Sequence, residues 1–401
     1  MSAPDLRQKL SGVPIPDETA AEKRAWRMVS TAFAELRPEQ ETARASRRVA
    51  LRPALAATLC VVTAAVAVTP PGAAIGDWVS DVVRPSHSPS RPQLTSLPAD
   101  GRLLVDSSQG PWVVQKDGSK RRLGRYTESA WSPNGLYVVA VRGDQIAALE
   151  PTGAVRWALA RSGPISHPMW SPDGFRIAYF SDDVLRVVIA DGSSDMRIAP
   201  ADPAVAPSWR PTAGHQLSYS DPAGRVHLVE TDTGRTLWRY SVGDPRQLLW
   251  TPDGEWLVVV SDRQLDVLNR VGQHVDRIPI PKGSRAQVAA IDPTGKELAL
   301  VQSQPVAKRS EVVARPLPPR KGLTRRLFAG SGTFDELAWS PDGRWLLVSW
   351  PEADQWLSIR STSVSKIDAI SNIGRQFDPG GTAKPAFPQV KGWCCPTRDG
   401  G

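Results

Sequence analysis

A five-residue corner, Trp-Ser-Pro-Asp-Gly or a near copy, recurs along the chain and limits its fold more than any other feature. WSPNG starts at Trp131, WSPDG at Trp170, WRPTAG at Trp209, WTPDG at Trp250 and WSPDG again at Trp339. Two degenerate copies, LPADG from Leu97 and IDPTG from Ile291, fill the series. The anchors Leu97, Trp131, Trp170, Trp209, Trp250, Ile291 and Trp339 therefore stand 34 to 48 residues apart. Proline presets φ for the first corner, Asp or Asn accepts local backbone hydrogen bonds, and Gly supplies the positive φ that closes the turn. Such a corner joins two antiparallel strands.

Apolar runs follow each corner at once: RLLVD from Arg102, YVVAV from Tyr137, RIAYF from Arg176, WLVVV from Trp256 and WLLVS from Trp345. Third runs (IAAL from Ile146, LRVVIA from Leu185, LDVLN from Leu265, WLSIR from Trp356) and fourth runs (AVRWALA from Ala154, TLWRY from Thr236) complete each unit. Four short strands in roughly 40 residues describe one blade of a β-propeller rather than half of a sandwich. One blade cannot bury both of its faces, so the blades must stack around an axis, with the anchor tryptophans closing the inner strands. The sequence predicts an all-β, seven-bladed propeller over 94–390. Six or eight blades are the alternatives, because the copies at Leu97 and Ile291 depart from the pattern. A Pro-Ala-Phe triplet at Pro385–Phe387 resembles the lead-in to an anchor and marks where the ring would close. The 15 Trp against 7 Phe and 5 Tyr, with 31 Gly and 37 Pro, agree with many short strands and argue against a helical bundle.

The first 93 residues read differently. Residues 1–52 form a polar arm with an amphipathic helix over 19–37, opened by a capping box at Thr19 and Glu22. Trp26, Val29, Phe33 and Leu36 share one face of it. That face is a candidate surface for lipid or a cytosolic regulatory protein. Residues 53–76 carry no formal charge. At 1.5 Å per residue they reach about 36 Å, enough to cross a bilayer as one helix. Arg44, Arg47, Arg48 and Arg52 precede the span, which orients the amino terminus to the cytosol and the large domain outside. A cleaved signal peptide ending near Ala65–Val66–Ala67 and a buried soluble helix are the competing readings. Residues 77–93, rich in Pro and Ser, make a stem.

The formal charge of +8 is spread along the chain and forms no basic block, so no direct contact with nucleic acid is expected. No nucleophile elbow, zinc-protease, P-loop or dinucleotide motif occurs. His167 and His215 flank inner strands and are the histidines a ring could bring to its axis; satisfied loop histidines are the competing reading. Asp173, Asp253 and Asp342 sit inside the repeated corners, where turn chemistry accounts for them without a ligand. No catalytic residue, metal or cofactor is assigned. Cys60 falls within the span. Cys394 and Cys395 are adjacent in a tail over 391–401, where a vicinal disulfide, an intermolecular bridge or a weak metal site are open, with the disulfide favoured.

The corners and the strands behind them resemble the TolB-type or WD-like β-propeller repeat family over about three quarters of the chain. With its arm and single span, the whole chain is similar to membrane-tethered propeller proteins of high-G+C bacteria. The resemblance implies a non-catalytic platform that binds an envelope protein or ligand. The alternatives are regulation of a sigma factor through the arm and an unrecognised envelope enzyme. The propeller domains of prolyl-oligopeptidase-like enzymes precede a hydrolase domain, for which no sequence follows the predicted ring, so an enzyme is not expected.

Overall fold

The computed structural model describes residues 94–318, 322–361, 367–380 and 385–395. The predicted arm, membrane span and stem lie outside the described residues. Among those described, no helix is long and apolar enough to cross a membrane.

The described strands form seven separate four-stranded antiparallel sheets, the blade count that the corners predict. Six are built from consecutive segments. Their inner strands are Glu128–Trp131 (blade 2), Ile165–Trp170 (blade 3), Ser208–Trp209 (blade 4), Gln247–Trp250 (blade 5), Arg285–Ile291 (blade 6) and Glu336–Trp339 (blade 7). Blade 1 joins the two ends of the domain. Strands Arg102–Ser107, Gly110–Val114 and Lys120–Arg122 supply its outer three positions, and Gln389–Cys394 supplies the inner one. The closing strand thus begins just after Phe387 and continues four residues beyond position 390.

Register confirms that the anchors are equivalent. Trp131 pairs with Val138, Trp170 with Ile177, Trp209 with Leu217, Trp250 with Leu257, Ile291 with Leu298 and Trp339 with Leu346. In blade 1 the residue at this position is Trp393, opposite Leu103. Leu97 is buried in the loop leading to that blade and ends no inner strand. The seventh anchor is therefore a tryptophan, separated by nearly the whole ring from the Asp100-Gly101 corner it belongs to.

The corners fold as their composition dictates. Ser340 Oγ accepts the Trp345 N–H at 3.0 Å, and Asp342 Oδ1 accepts the Arg344 N–H at 3.0 Å. Thr251 with Asp253, and Ser171 with Asp173, repeat the arrangement at 2.9 to 3.1 Å. A hydroxyl, a carboxylate and a left-handed glycine, Gly343 at φ +68°, together replace the ladder bonds that the corner interrupts.

The core is divided among seven seams rather than gathered at one centre. Val139, Val141 and Ile146 of blade 2 meet Trp170, Ile177 and Tyr179 of blade 3. Ala299 and Val312 of blade 6 meet Trp339, Leu346 and Val348 of blade 7. The last seam, between blades 7 and 1, holds Trp345, Trp356, Phe377, Leu103 and Trp393. At about 25 cal/mol per Å2, removing some 150–250 Å2 of an anchor indole from water contributes about 4–6 kcal/mol before entropy is subtracted. Indole N–H groups also tie blades together: Trp209 donates to Met169 O at 3.2 Å and Trp339 to Ala290 O at 3.1 Å.

Candidate functional site: the axial mouth

From blade 4 round through blade 1 to blade 3, inner strands of successive blades touch one another, so their starting ends form the rim of a mouth. Three residues before the anchor, four blades place a polar side chain: Glu128, His167, Gln247 and Glu336. Three of these reach across to the neighbouring inner strand. Glu128 accepts the His167 N–H at 2.8 Å. Gln247 accepts the Ala289 N–H and donates to Ala289 O, both at 2.9 Å. Glu336 accepts the Val390 N–H of the closing strand at 2.5 Å and the Ser349 hydroxyl at 3.1 Å. Inner strands have no ladder partner on the axial side, and these side chains satisfy backbone groups that would otherwise be left there.

Three inner strands carry a β-bulge, those of blades 1, 3 and 6, and two of them set His167 and Lys391. In blade 3 the register shifts between Ser166 and Met169, and His167 adopts a left-handed φ of +50°. In blade 1 the register shifts between Leu104 and Val105 on the partner strand, leaving Lys391 as the extra residue, with its side chain exposed. A bulge spends one residue to redirect one side chain.

Electrostatics binds these residues into one cluster. Burial pushes the Asp106 carboxyl up to about 6, against the Ser129 hydroxyl and N–H and the Lys391 charge, which favour ionisation. Burial, reinforced by Asp335, pushes Glu336 up to about 7, with the Val390 N–H, Ser349 and Lys391 opposing. His167 is held below its ordinary value chiefly by burial; Glu128 opposes this and Lys391 reinforces it. Its Nδ1 is buried and has no hydrogen-bond partner among the described residues. The ring lies edge-on to Phe180, with centroids 6.0 Å apart. The mouth therefore offers the exposed Lys391 side chain, a half-buried imidazole held below its ordinary pKa, and carboxyls raised toward neutral pH. That set suits recognition of a polar group.

The structure separates the two histidines that a ring might have joined. His215 lies beyond the corner of blade 4, at the other end of the blade from His167, with its Nε2 3.3 Å from Glu230. His215, Glu230 and Asp232 have ligand atoms within 4.8 Å of one another. However, Arg176 donates to both oxygens of Asp232, at 2.9 and 2.7 Å, so this cluster is an ion-pair network. Between blades 6 and 7 a cavity of about 360 Å3 opens beside Trp339. Of its lining carboxylates, Asp292 serves its own turn and Glu297 pairs with Arg325. The arm residues Trp26, Val29, Phe33 and Leu36 lie outside the described residues. Cys394 and Cys395 end the closing strand as a vicinal disulfide.

Reading the motif forward from each tryptophan missed Glu128, Glu336, Gln247, Asp106 and Lys391. Four rim residues share one offset, three positions before the anchor, so aligning the repeats backward would have brought out Glu128, His167, Gln247 and Glu336 together. Lys391 carries no such mark, because its bulge is a property of the pairing.

A closed ring of seven four-stranded sheets defines a seven-bladed β-propeller. Solved structures of similar fold include hydrazine synthase of Kuenenia stuttgartiensis, at 17% identity over 59% of this chain and 76% of that one, TM-score 0.50. The β-propeller domain of Myceliophteria thermophila Cps50 (Swd1) is 14% identical over 68% of this chain and 90% of that one, TM-score 0.51. A putative 6-phosphogluconolactonase from Bacteroides uniformis is 14% identical over 73% and 99%, TM-score 0.52. No family model and no curated protein match the chain. At these identities the likeness is one of fold alone.

Proposed function

We propose that the chain is a non-catalytic, membrane-anchored binding platform of the cell envelope, related to the TolB-type propellers, whose axial mouth recognises a protein partner or other ligand outside the cytosol. The observation that carries this reading is the convergence of Glu128, His167, Glu336 and Lys391, from sequence positions more than 250 residues apart, on a rigid rim where Lys391 and His167 are aimed by bulges. Placing function on strand ends held by a closed scaffold is how a propeller gains specificity without moving parts. The uncharged stretch 53–76 and the arginines before it support the anchor and its orientation. The apolar stripe Trp26, Val29, Phe33 and Leu36 supports a second reading, in which the arm contacts a cytosolic regulator such as a sigma factor.

Photocrosslinking in native cells tests both readings. A crosslinking residue at the exposed rim position Gln389 is expected to capture a discrete partner that one at Arg239, on an outer strand, does not, and Lys391→Glu is expected to abolish the capture. Equal labelling at the two positions would remove the mouth from consideration. Capture only from residues 19–37 would favour the arm. Turnover of a substrate by the purified full chain would overturn the non-catalytic assignment.

A further inference from the structure

The vicinal cysteines occupy the place of the Ser-Pro pair in the corner of blade 1. In four other blades the residues after the anchor are Ser132-Pro133, Ser171-Pro172, Thr251-Pro252 and Ser340-Pro341, and in the remaining two Arg210-Pro211 and Asp292-Pro293; after Trp393 they are Cys394-Cys395. The correspondence extends to the contacts. In blades 5, 6 and 7 the corner proline lies against the corner glycine of the following blade. A methyl group placed on Gly295 would lie 3.2 Å from Pro252 Cδ, and one on Gly343 would lie 3.5 Å from Pro293 Cδ. One on Gly101 would lie 3.1 Å from Pro341 Cγ. At Gly135 of blade 2 the neighbours are Arg102 Nη2 at 2.8 Å, Cys395 Sγ at 3.1 Å and Cys394 Sγ at 3.2 Å. Arg102 completes the joint, donating to Gly135 O at 2.6 Å with its guanidinium 4.9 Å from the Trp131 ring centre.

The reason for the replacement lies in the topology. Six corners are continuous stretches of chain, stiffened by the proline ring. The seventh is assembled from both ends of the domain, and the strand it terminates is paired only with Arg102–Asp106. A bond between Cys394 and Cys395 ties two successive residues together there, with Cys395 at a left-handed φ of +44° that proline could not adopt, and it can be undone.

We propose that Cys394–Cys395 is a site of reversible thiol–disulfide exchange with a dithiol reductant, and that reduction loosens the closing strand of the ring. The thiolate of the reductant attacks one sulfur, forming a mixed disulfide and releasing the other cysteine as a thiolate. The second thiol of the reductant then displaces the bound cysteine. The Cys394–Cys395 bond takes up two electrons and two protons, and the reductant leaves as its own disulfide. Both cysteines are only partly buried, so a small dithiol can approach without prior unfolding. Release of this joint acts on the strand that carries Lys391 and donates the Val390 N–H to Glu336.

The test uses the full chain, with and without dithiothreitol, followed by alkylation with mass spectrometry and by amide hydrogen exchange. Alkylation of Cys394 and Cys395 is expected only after dithiothreitol. Exchange across Gln389–Cys394 and Arg102–Ser107 should then rise by about threefold or more, while the Trp256–Val260 strand of blade 5 is unchanged. The Cys394→Ser/Cys395→Ser double variant removes the bond and keeps a side chain that tolerates the local backbone, and its exchange should ignore dithiothreitol. The proposal is overturned if the cysteines are alkylated without reductant, if they resist dithiothreitol in the native protein, or if they are reduced while exchange stays as it was. The comparison within the native protein stands even should the double variant not fold.

Discussion

Glu336 sets the pH dependence of ring closure, and Glu336→Gln isolates it. The glutamine oxygen can accept the same Val390 N–H and Ser349 hydroxyl, so the substitution removes the ionisable proton and leaves the acceptor. The native pKa stands at about 7 against an ordinary 4.5. Between those values the folded chain holds a proton that the unfolded chain has lost, so stability falls as pH rises through this window and levels off above it. At about 1.4 kcal/mol per pH unit, the loss is about 3 kcal/mol. Urea unfolding of wild type and variant, followed by tryptophan fluorescence at intervals from pH 4.5 to 8.5, measures it. The two proteins should be of similar stability at the acid end, and the variant should be the more stable by up to about 3 kcal/mol at the alkaline end. Asp106, raised to about 6 by burial, leaves a smaller slope of the same sign in both. Parallel profiles for the two proteins would refute the reasoning, since they would mean that the Glu336 carboxyl is hydrated in the folded ring.

Two further substitutions probe the scaffold. Trp339→Ala empties the seam between blades 6 and 7 and removes the N–H bond to Ala290 O; a loss of about 3–5 kcal/mol in thermal or urea unfolding is expected, whereas Trp339→Phe should cost only part of that. Ser340→Ala leaves the Trp345 N–H without its acceptor in a buried corner and should cost about 1–2 kcal/mol, with the neighbouring amides exchanging faster by hydrogen-exchange mass spectrometry; unchanged exchange there would mean that the proline and glycine alone hold the corner.

The comparison between sequence and structure turns on how far apart the determining residues lie. Trp250, Pro252, Asp253 and Gly254 sit within one corner, so their turn, their strands and their place in a blade follow from local chemistry and spacing. The same local rules explain why Asp173, Asp253 and Asp342 are spent on turn hydrogen bonds. Seven such units in about 300 residues leave a closed ring as the arrangement that buries both faces of every sheet.

Sequence by itself therefore determined the strands, the corners and the repeat, and favoured seven blades with six or eight open. Tertiary structure alone decided the closure, the seventh anchor and the rim. Trp393 becomes an anchor only when it meets Leu103 from the other end of the domain. Lys391 is aimed by a bulge that exists only in that pairing, and Glu336 is pushed up to about 7 by burial in the assembled ring, against the Val390 N–H and the Lys391 charge of the closing strand. Local sequence encodes backbone geometry over a few residues, whereas pairing register, burial and electric field arise between segments that meet only once the ring has closed.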